Sequence, residues 1–372
     1  MAIFLVLLLL IKKNKSNADK ILVGWLFLIA IHQLLFYFTN SGEFFKYPHW
    51  LGVEFPLPIL HGVLLFFYTL EVTGNSLKNK WLILFHLLPA LSLTLFAIPF
   101  YKLTGDEKIF IFKNEGLGYE WYVLFSSILI SLSGSAYSVW AFILTKKHQV
   151  KIQGRFSNTD KKELLWLRSL SIGYAVIWVL AIFFDGPIIF SAVVVLVLFI
   201  AFFGINQLNV FYSNIEPLVN QQPKTTKAVK VKNKNATSLS DEKMIEKYAK
   251  SGLTEERTID IYERLKDLMF KNSYYKNEEL TLVELSKKLD VHPNHLSQVI
   301  NEKEKKNFYN FINSLRIKEF IRYASLPENK KYTMISLAYD CGFSSKSTFN
   351  KHFKLVTGKT PTEYMKSIKK DK

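Results

Sequence analysis

The chain has 372 residues and a formal net charge of +17, yet 49% of it is hydrophobic and 31 residues are Phe. Such a length allows two or three domains, and charge and apolarity conflict only if the whole is read as one soluble globule. Most aromatic and aliphatic residues precede about Phe211, and Lys-rich, mixed-charge sequence follows it, so the chain divides in two. The single cysteine, Cys341, excludes an intramolecular disulfide and suits a reducing compartment; it sits in an apolar helical pattern and reads as core.

In chain order, runs near the roughly 20 apolar residues that a spanning helix needs are Ile21 to Phe38, Leu51 to Leu70, Trp81 to Phe100, Trp121 to Leu144, Leu164 to Phe184 and Ile188 to Ile205. Ala2 to Ile11 is about half a span. It lacks the basic leader and cleavage site of a signal peptide, and Lys12, Lys13 and Lys15 follow it directly. The expectation is a first span, truncated or short and tilted, in a set of about seven. Pro56, Pro58 and Gly62 imply an irregular start to the third.

Loop charge orients the set. One group of alternate loops holds Lys12, Lys13, Lys15 and Lys20, then Lys78 and Lys80, then Lys146, Lys147, Lys151, Arg155, Lys161, Lys162 and Arg168. The other group has few cations: Lys46, then Lys102, Lys108 and Lys113 beside four carboxylates, then none around Asp185. The bias puts the N-terminus outside and everything after Asn206 inside.

His32, His61 and His86 fall inside spans, where polar groups are costly and functional by default. By helical rise His32 and His61 lie within roughly 15 Å of the outer face and His86 near the inner one, which argues against a three-His metal site. An outward-open pocket lined by His32, Glu54 and His61 is a candidate site for an unknown signal ligand; interhelical hydrogen bonding is the plainer account of the same histidines.

From about Tyr212 to Leu253 a basic polar tract containing Lys224, Lys227, Lys230, Lys232 and Lys234 reads as a flexible linker able to lie on anionic lipid. A helix start is expected at Ser240.

Beyond Thr254 the pattern is helical. Ile259, Tyr262, Leu265, Leu268 and Met269 mark one amphipathic helix; Leu282, Leu285 and Leu289 mark another, with Thr281 placed to cap it. After Asp290-Val291 a short helix turns Leu296, Val299 and Ile300 inward and Asn294, His295, Ser297 and Gln298 outward. A long helix, Phe308 to Leu326, leads to a second unit of the same layout. There Thr333 caps a helix containing Ile335, Leu337, Ala338 and Cys341, Gly342 makes the turn, and the next helix has Phe349, Phe353 and Val356 inward. Lys346, Ser347, Thr348, Asn350 and Lys351 face out. Two helix-turn-helix units on one spacer, with recognition helices about one DNA turn (~34 Å) apart, can enter successive major grooves. Asn and Gln suit adenine edges and Lys guanine acceptors, while surplus cations hold phosphates.

The segments Leu296-Ser297-Gln298-Val299-Ile300-Asn301, Asn307 to Ile317, Cys341 to Lys354 and Thr357 to Tyr364 resemble the AraC/XylS family of bacterial transcription regulators. The likeness covers about Leu265 to Ser367. Pro58 to Gly62 and His86 to Pro89 resemble, less specifically, patterns in its membrane-embedded subgroup common in Bacteroidetes. The resemblance implies base reading by Asn294, Ser297 and Gln298 and by Lys346, Ser347, Thr348 and Lys351. Asp290 stands where the family usually has Gly, and Ser286 where it has Ala.

The expected fold class is therefore all-α: a polytopic helical membrane domain (1–211), a linker (212–253), and a cytoplasmic domain of two helix-turn-helix units joined by a long helix (254–372). The expected function is membrane-bound, sequence-specific transcription regulation, more often activation than repression by the resemblance. Its partners would be double-stranded DNA, RNA polymerase, the lipid bilayer, the unknown ligand and a second copy of the chain. No catalytic residues, cofactor or metal are expected. A membrane transporter or membrane enzyme with a fused DNA-binding tail is the alternative; the spans show neither paired carboxylates nor an inverted repeat, and no convergent acid–base or metal groups.

Overall fold

The computed structural model describes residues 1–77, 79–160, 164–184, 186–204 and 253–370. The linker, the helix start at Ser240 and Asp185 lie outside these residues. The described chain is all-helical and divides into two compact units, one of residues 1–148 and 164–204, the other of 149–160 and 253–370.

The first unit contains α1 (Ala2–Ile11), α2 (Asn17–Asn40), α3 (Leu57–Val72), α4 (Lys80–Phe96), the single turn α5 (Ile98–Tyr101), α6 (Gly105–Lys113), most of α7 (Glu120–Gln153), α8 (Leu165–Phe183) and α9 (Gly186–Phe199). Among the described residues, three helices are long and apolar enough to cross a bilayer: Asn17–Asn40, Glu120–Gln153 and Gly186–Phe203. The apolar helices at Ala2–Ile11, Leu57–Val72, Trp81–Phe96 and Leu165–Ala181 are shorter. Proline accounts for two of the shortened runs. Turns at 51–56 run up to Pro56, and α3 begins only at Leu57 with Pro58 in its first turn; α4 stops at Phe96 just before the Pro99 turn. Trp81, Phe85, Leu124, Leu132 and Val195 are all exposed, an apolar exterior of the kind that marks a membrane or protein contact.

Polar side chains couple these helices. Ser16 caps α2 reciprocally with Asp19, and buried Asp19 also accepts from Lys12 Nζ at 2.8 Å. His86 Nδ1 lies 2.7 Å from the Tyr137 hydroxyl of α7.

The second unit contains α10 (Glu255–Asn272), α11 (Leu282–Lys288), α12 (Pro293–Glu304), α13 (Phe308–Ser325), α14 (Met334–Asp340), α15 (Lys346–Thr357) and α16 (Pro361–Lys370). Its two cores share α13. Phe308, Phe311 and Ile312 pack with Ile261, Leu265, Leu285, Leu296 and Val299. Ile317 and Phe320, two turns on, pack with Leu337, Ala338, Cys341, Phe343, Phe349 and Phe353. Each helix-turn-helix therefore has a core of its own, and α13 contributes side chains to both. Cys341 is buried in the second core, where burial pushes its thiol up to about 12, so it packs as a small apolar group.

Candidate nucleic-acid interface

Both turns are built alike. Thr281 Oγ1 accepts from the Glu284 amide and Thr333 Oγ1 from the Ser336 amide, starting α11 and α14. Each helix then closes on a residue with positive φ: Asp290 at 51° and Gly342 at 94°. The next amide reaches back to the same relative carbonyl, Val291 to Ser286 at 3.0 Å and Phe343 to Ala338 at 3.2 Å, the backbone of a Schellman close. Asp290 thus adopts the left-handed turn that glycine makes in the second unit. Gly342 has a second reason to be glycine, since a Cβ there would stand 2.6 Å from the Lys276 carbonyl oxygen and 2.8 Å from that of Tyr275.

The helices that follow, α12 and α15, start at different distances from these turns. His292 Nδ1 caps α12 by accepting from the Asn294 amide. Ser345 Oγ caps α15 by accepting from the Thr348 amide. The first unit is one residue tighter, as the spacing of Leu296 and Phe349 from their turns requires.

On α15, Lys346, Ser347, Asn350 and Lys351 are exposed. Lys354, one turn beyond Asn350, is exposed as well, and with Asn350, Lys351, Leu355 and Thr360 it lines an open recess. Sequence reasoning missed Lys354 as a site residue, although the helical period of Lys351 and Asn350 points to it. Thr348 is buried beneath the Asp160 carboxylate, to which its hydroxyl donates. Val356 is 40% exposed rather than inward; the inner position on that face belongs to His352, which lies edge-on to Tyr309 at 4.8 Å.

On α12, Asn294 is exposed and His295 and Ser297 are half-buried. Gln298 is 5% exposed and donates to Glu302 Oε1 at 2.8 Å, so its amide is engaged within the helix rather than presented outward. The first helix-turn-helix thus offers fewer free donors than the second.

The buried guanidinium of Arg316, on α13 where the two cores meet, ties the unit together. It donates to the carbonyls of Tyr275 (2.6 Å) and Asn277 (2.8 Å), to Asn313 Oδ1 (3.1 Å), and to the carbonyl and hydroxyl of Ser157 (3.3 and 3.1 Å). It also lies 5.9 Å from the centre of the Phe343 ring. Burial pulls it down to about 10, which still leaves it charged at neutral pH. Nearby, Glu319 is drawn down to about 2, first by Arg322 and also by Lys276.

The candidate ligand residues lie in the first unit. His32 Nδ1 and His61 Nε2 are 2.9 Å apart, with rings stacked at 5.1 Å. Glu54 is bonded to Thr39 instead, at 2.8 Å, and Thr39 is seven residues along α2 from His32. Among the described residues no cluster of three or more His, Cys, Asp or Glu could hold a metal ion.

Residues 285–367 match the model of a family described as a helix-turn-helix domain. No curated protein and no solved structure matches the chain. The matched stretch runs from α11 through both recognition helices into α16. It supports a DNA-binding transcription regulator of the AraC helix-turn-helix type.

Proposed function

We propose that the chain is a membrane-bound transcription regulator. Its first unit crosses the bacterial inner membrane with about seven helices, and its second unit reads two successive major grooves from the cytoplasm. The observation that carries this reading is the pair of helix-turn-helix cores sharing α13, with Lys346, Ser347, Asn350, Lys351 and Lys354 exposed along one recognition helix. Lysine beside amide and hydroxyl donors is the chemistry of phosphate and base-edge contact. The seven apolar helices and the apolar exterior of the first unit support the membrane location. Two separate arguments support a common cytoplasmic side. Loop charge puts 145–163 inside with the C-terminus, and residues 149–160 fold as part of the compact unit that holds the recognition helices.

A ligand or protonation event near His32 and His61 would act by binding two arrangements of the helices unequally. Activation through RNA polymerase and dimerisation on a two-fold site complete the proposal. Genome-wide footprinting of the tagged full chain tests it. Lys346→Ala with Lys351→Ala should abolish site-specific occupancy while the protein stays in the membrane fraction. Unchanged occupancy would remove α15 from the interface, and recovery of the wild type in the soluble fraction would end the membrane reading.

A further inference from the structure

Residues 155–160 occupy a built groove in the second unit. Phe156 forms an antiparallel bridge with Thr281; the Ser157 amide donates to the Leu280 carbonyl at 3.1 Å, and the Leu282 amide to the Arg155 carbonyl at 2.9 Å. Ser157 is fully buried. Its carbonyl accepts from Asn313 Nδ2 at 3.1 Å as well as from Arg316. Asn158 Nδ2 donates to Glu278 and Glu279, and its side-chain oxygen accepts from the Asp160 amide at 3.1 Å. This anchoring delivers the Asp160 carboxylate to the start of α15. One oxygen accepts from Ser344 Oγ at 2.8 Å and the other from Thr348 Oγ1.

Two hydroxyls beside the first turn of a helix, each donating to one oxygen of an anionic pair, make the kind of contact that proteins use to hold a DNA phosphate. While Asp160 is there, neither hydroxyl can donate to DNA, and its charge repels the backbone. Asp160 stands in a strongly cationic stretch, flanked by Lys146, Lys147, Lys151, Arg155, Lys161 and Lys162, so the acidic group at the reading surface is not a by-product of an acidic loop.

We propose that residues 155–160 are an intramolecular occupant of the DNA-reading surface, with the Asp160 carboxylate in the place of a phosphate oxygen, so that full DNA affinity requires Asp160 to withdraw. The proposal rests on the DNA-binding reading of α15. Because the segment is continuous with α7, a change in the membrane helices that pulls on α7 would act directly on the reading surface.

The test uses the full chain in nanodiscs and a fluorescein-labelled, mixed-sequence duplex long enough for two major-groove half-sites. Asp160→Asn keeps the shape and removes the charge; Asp160→Ala removes the group. Both should bind at least about tenfold more tightly than the wild type, the scale of one charge-assisted hydrogen bond. Ser344→Ala, which removes a donor that Asp160 and a DNA phosphate would both use, should show no such gain, and combined with Asp160→Ala it should weaken binding relative to Asp160→Ala alone. Asp267→Asn, which removes an exposed carboxylate paired with Lys271, should show none. Asp160 variants that bind like the wild type would overturn the proposal and leave the DNA-binding reading standing. An equal gain in Asp267→Asn would also overturn it, as an effect of net charge. Failure of the wild type and of both Asp160 variants to bind any duplex would overturn the proposal and the reading together.

Discussion

His352 lies on the inner face of α15 with both ring nitrogens buried and no hydrogen-bond partner among the described residues. Burial, aided by the charges of Lys351 and Arg316, holds it down to about 4. The unfolded chain takes up this proton near 6.5, while the folded one does not until about 4, so stability is lost as pH falls through that window. The loss approaches about 1.4 kcal/mol per pH unit once pH is well below 6.5. His352→Leu keeps a similar volume, removes two unpaired polar atoms and removes the titration. Urea midpoints should therefore be higher for this variant, and their fall between pH 7.5 and 5 shallower; an unchanged slope would mean that another group carries the pH dependence. The same helix face shows where sequence reading stops. Helical spacing assigns an inner stripe but cannot decide its edge, so it points Val356 inward and gives no sign of His352, whereas the structure has the reverse. Gln298 and Thr348 carry the right chemistry for base reading, yet their exposure is decided by partners, Glu302 within the helix and Asp160 at a separation of 188 residues.

The helix boundaries were legible because each is local. Thr281 and Thr333 act three residues ahead of the amides they cap, and Gly342 announces its own backbone. The two turns nevertheless ask for opposite experiments. Asp290 accepts a left-handed backbone at the usual cost to an L-residue, so Asp290→Gly should stabilise the domain by about 0.5–1 kcal/mol. Gly342→Ala should cost about 3 kcal/mol or more, because conformational strain is added to a collision with the Lys276 and Tyr275 carbonyls. Urea denaturation checks both. A neutral Gly342→Ala would show that the loop 275–276 can retreat, which the Arg316 bond to the Tyr275 carbonyl opposes. The bridge between Phe156 and Thr281 had no such local signal: one residue of extended backbone on each side leaves no period to read, and its partners are 125 positions apart.

At the scale of the whole chain, the DNA-reading unit is discontinuous. The family match begins at residue 285, while the folded unit also takes in residues 149–160, the last turn of α7 and the chain that follows it. A tail freed by cleavage anywhere in 205–252 would leave that segment behind. The hydrogen bonds that would go with it include five beside Arg316: Ser157 to Leu280, Leu282 to Arg155, Asn313 to Ser157, and two from Arg316 to Ser157. At about 0.5–1.5 kcal/mol each, and with water replacing some of them, the loss is on the order of 2–5 kcal/mol. Breaking the surroundings of a buried charge is costlier than breaking a neutral contact, and Arg316 is such a charge. Residues 253–370 expressed alone should therefore unfold at lower urea than the same residues with 149–160 attached through a flexible linker, and a synthetic 149–160 peptide added at excess should restore part of the difference. Replacing Ser157 with Pro in that peptide removes the amide that donates to Leu280 and should abolish the rescue. Equal midpoints with and without the segment would mean that the groove around Arg316 closes on its own or fills with water. Cleavage would then yield a fully stable reader, and residues 149–160 would be a passenger rather than part of its fold.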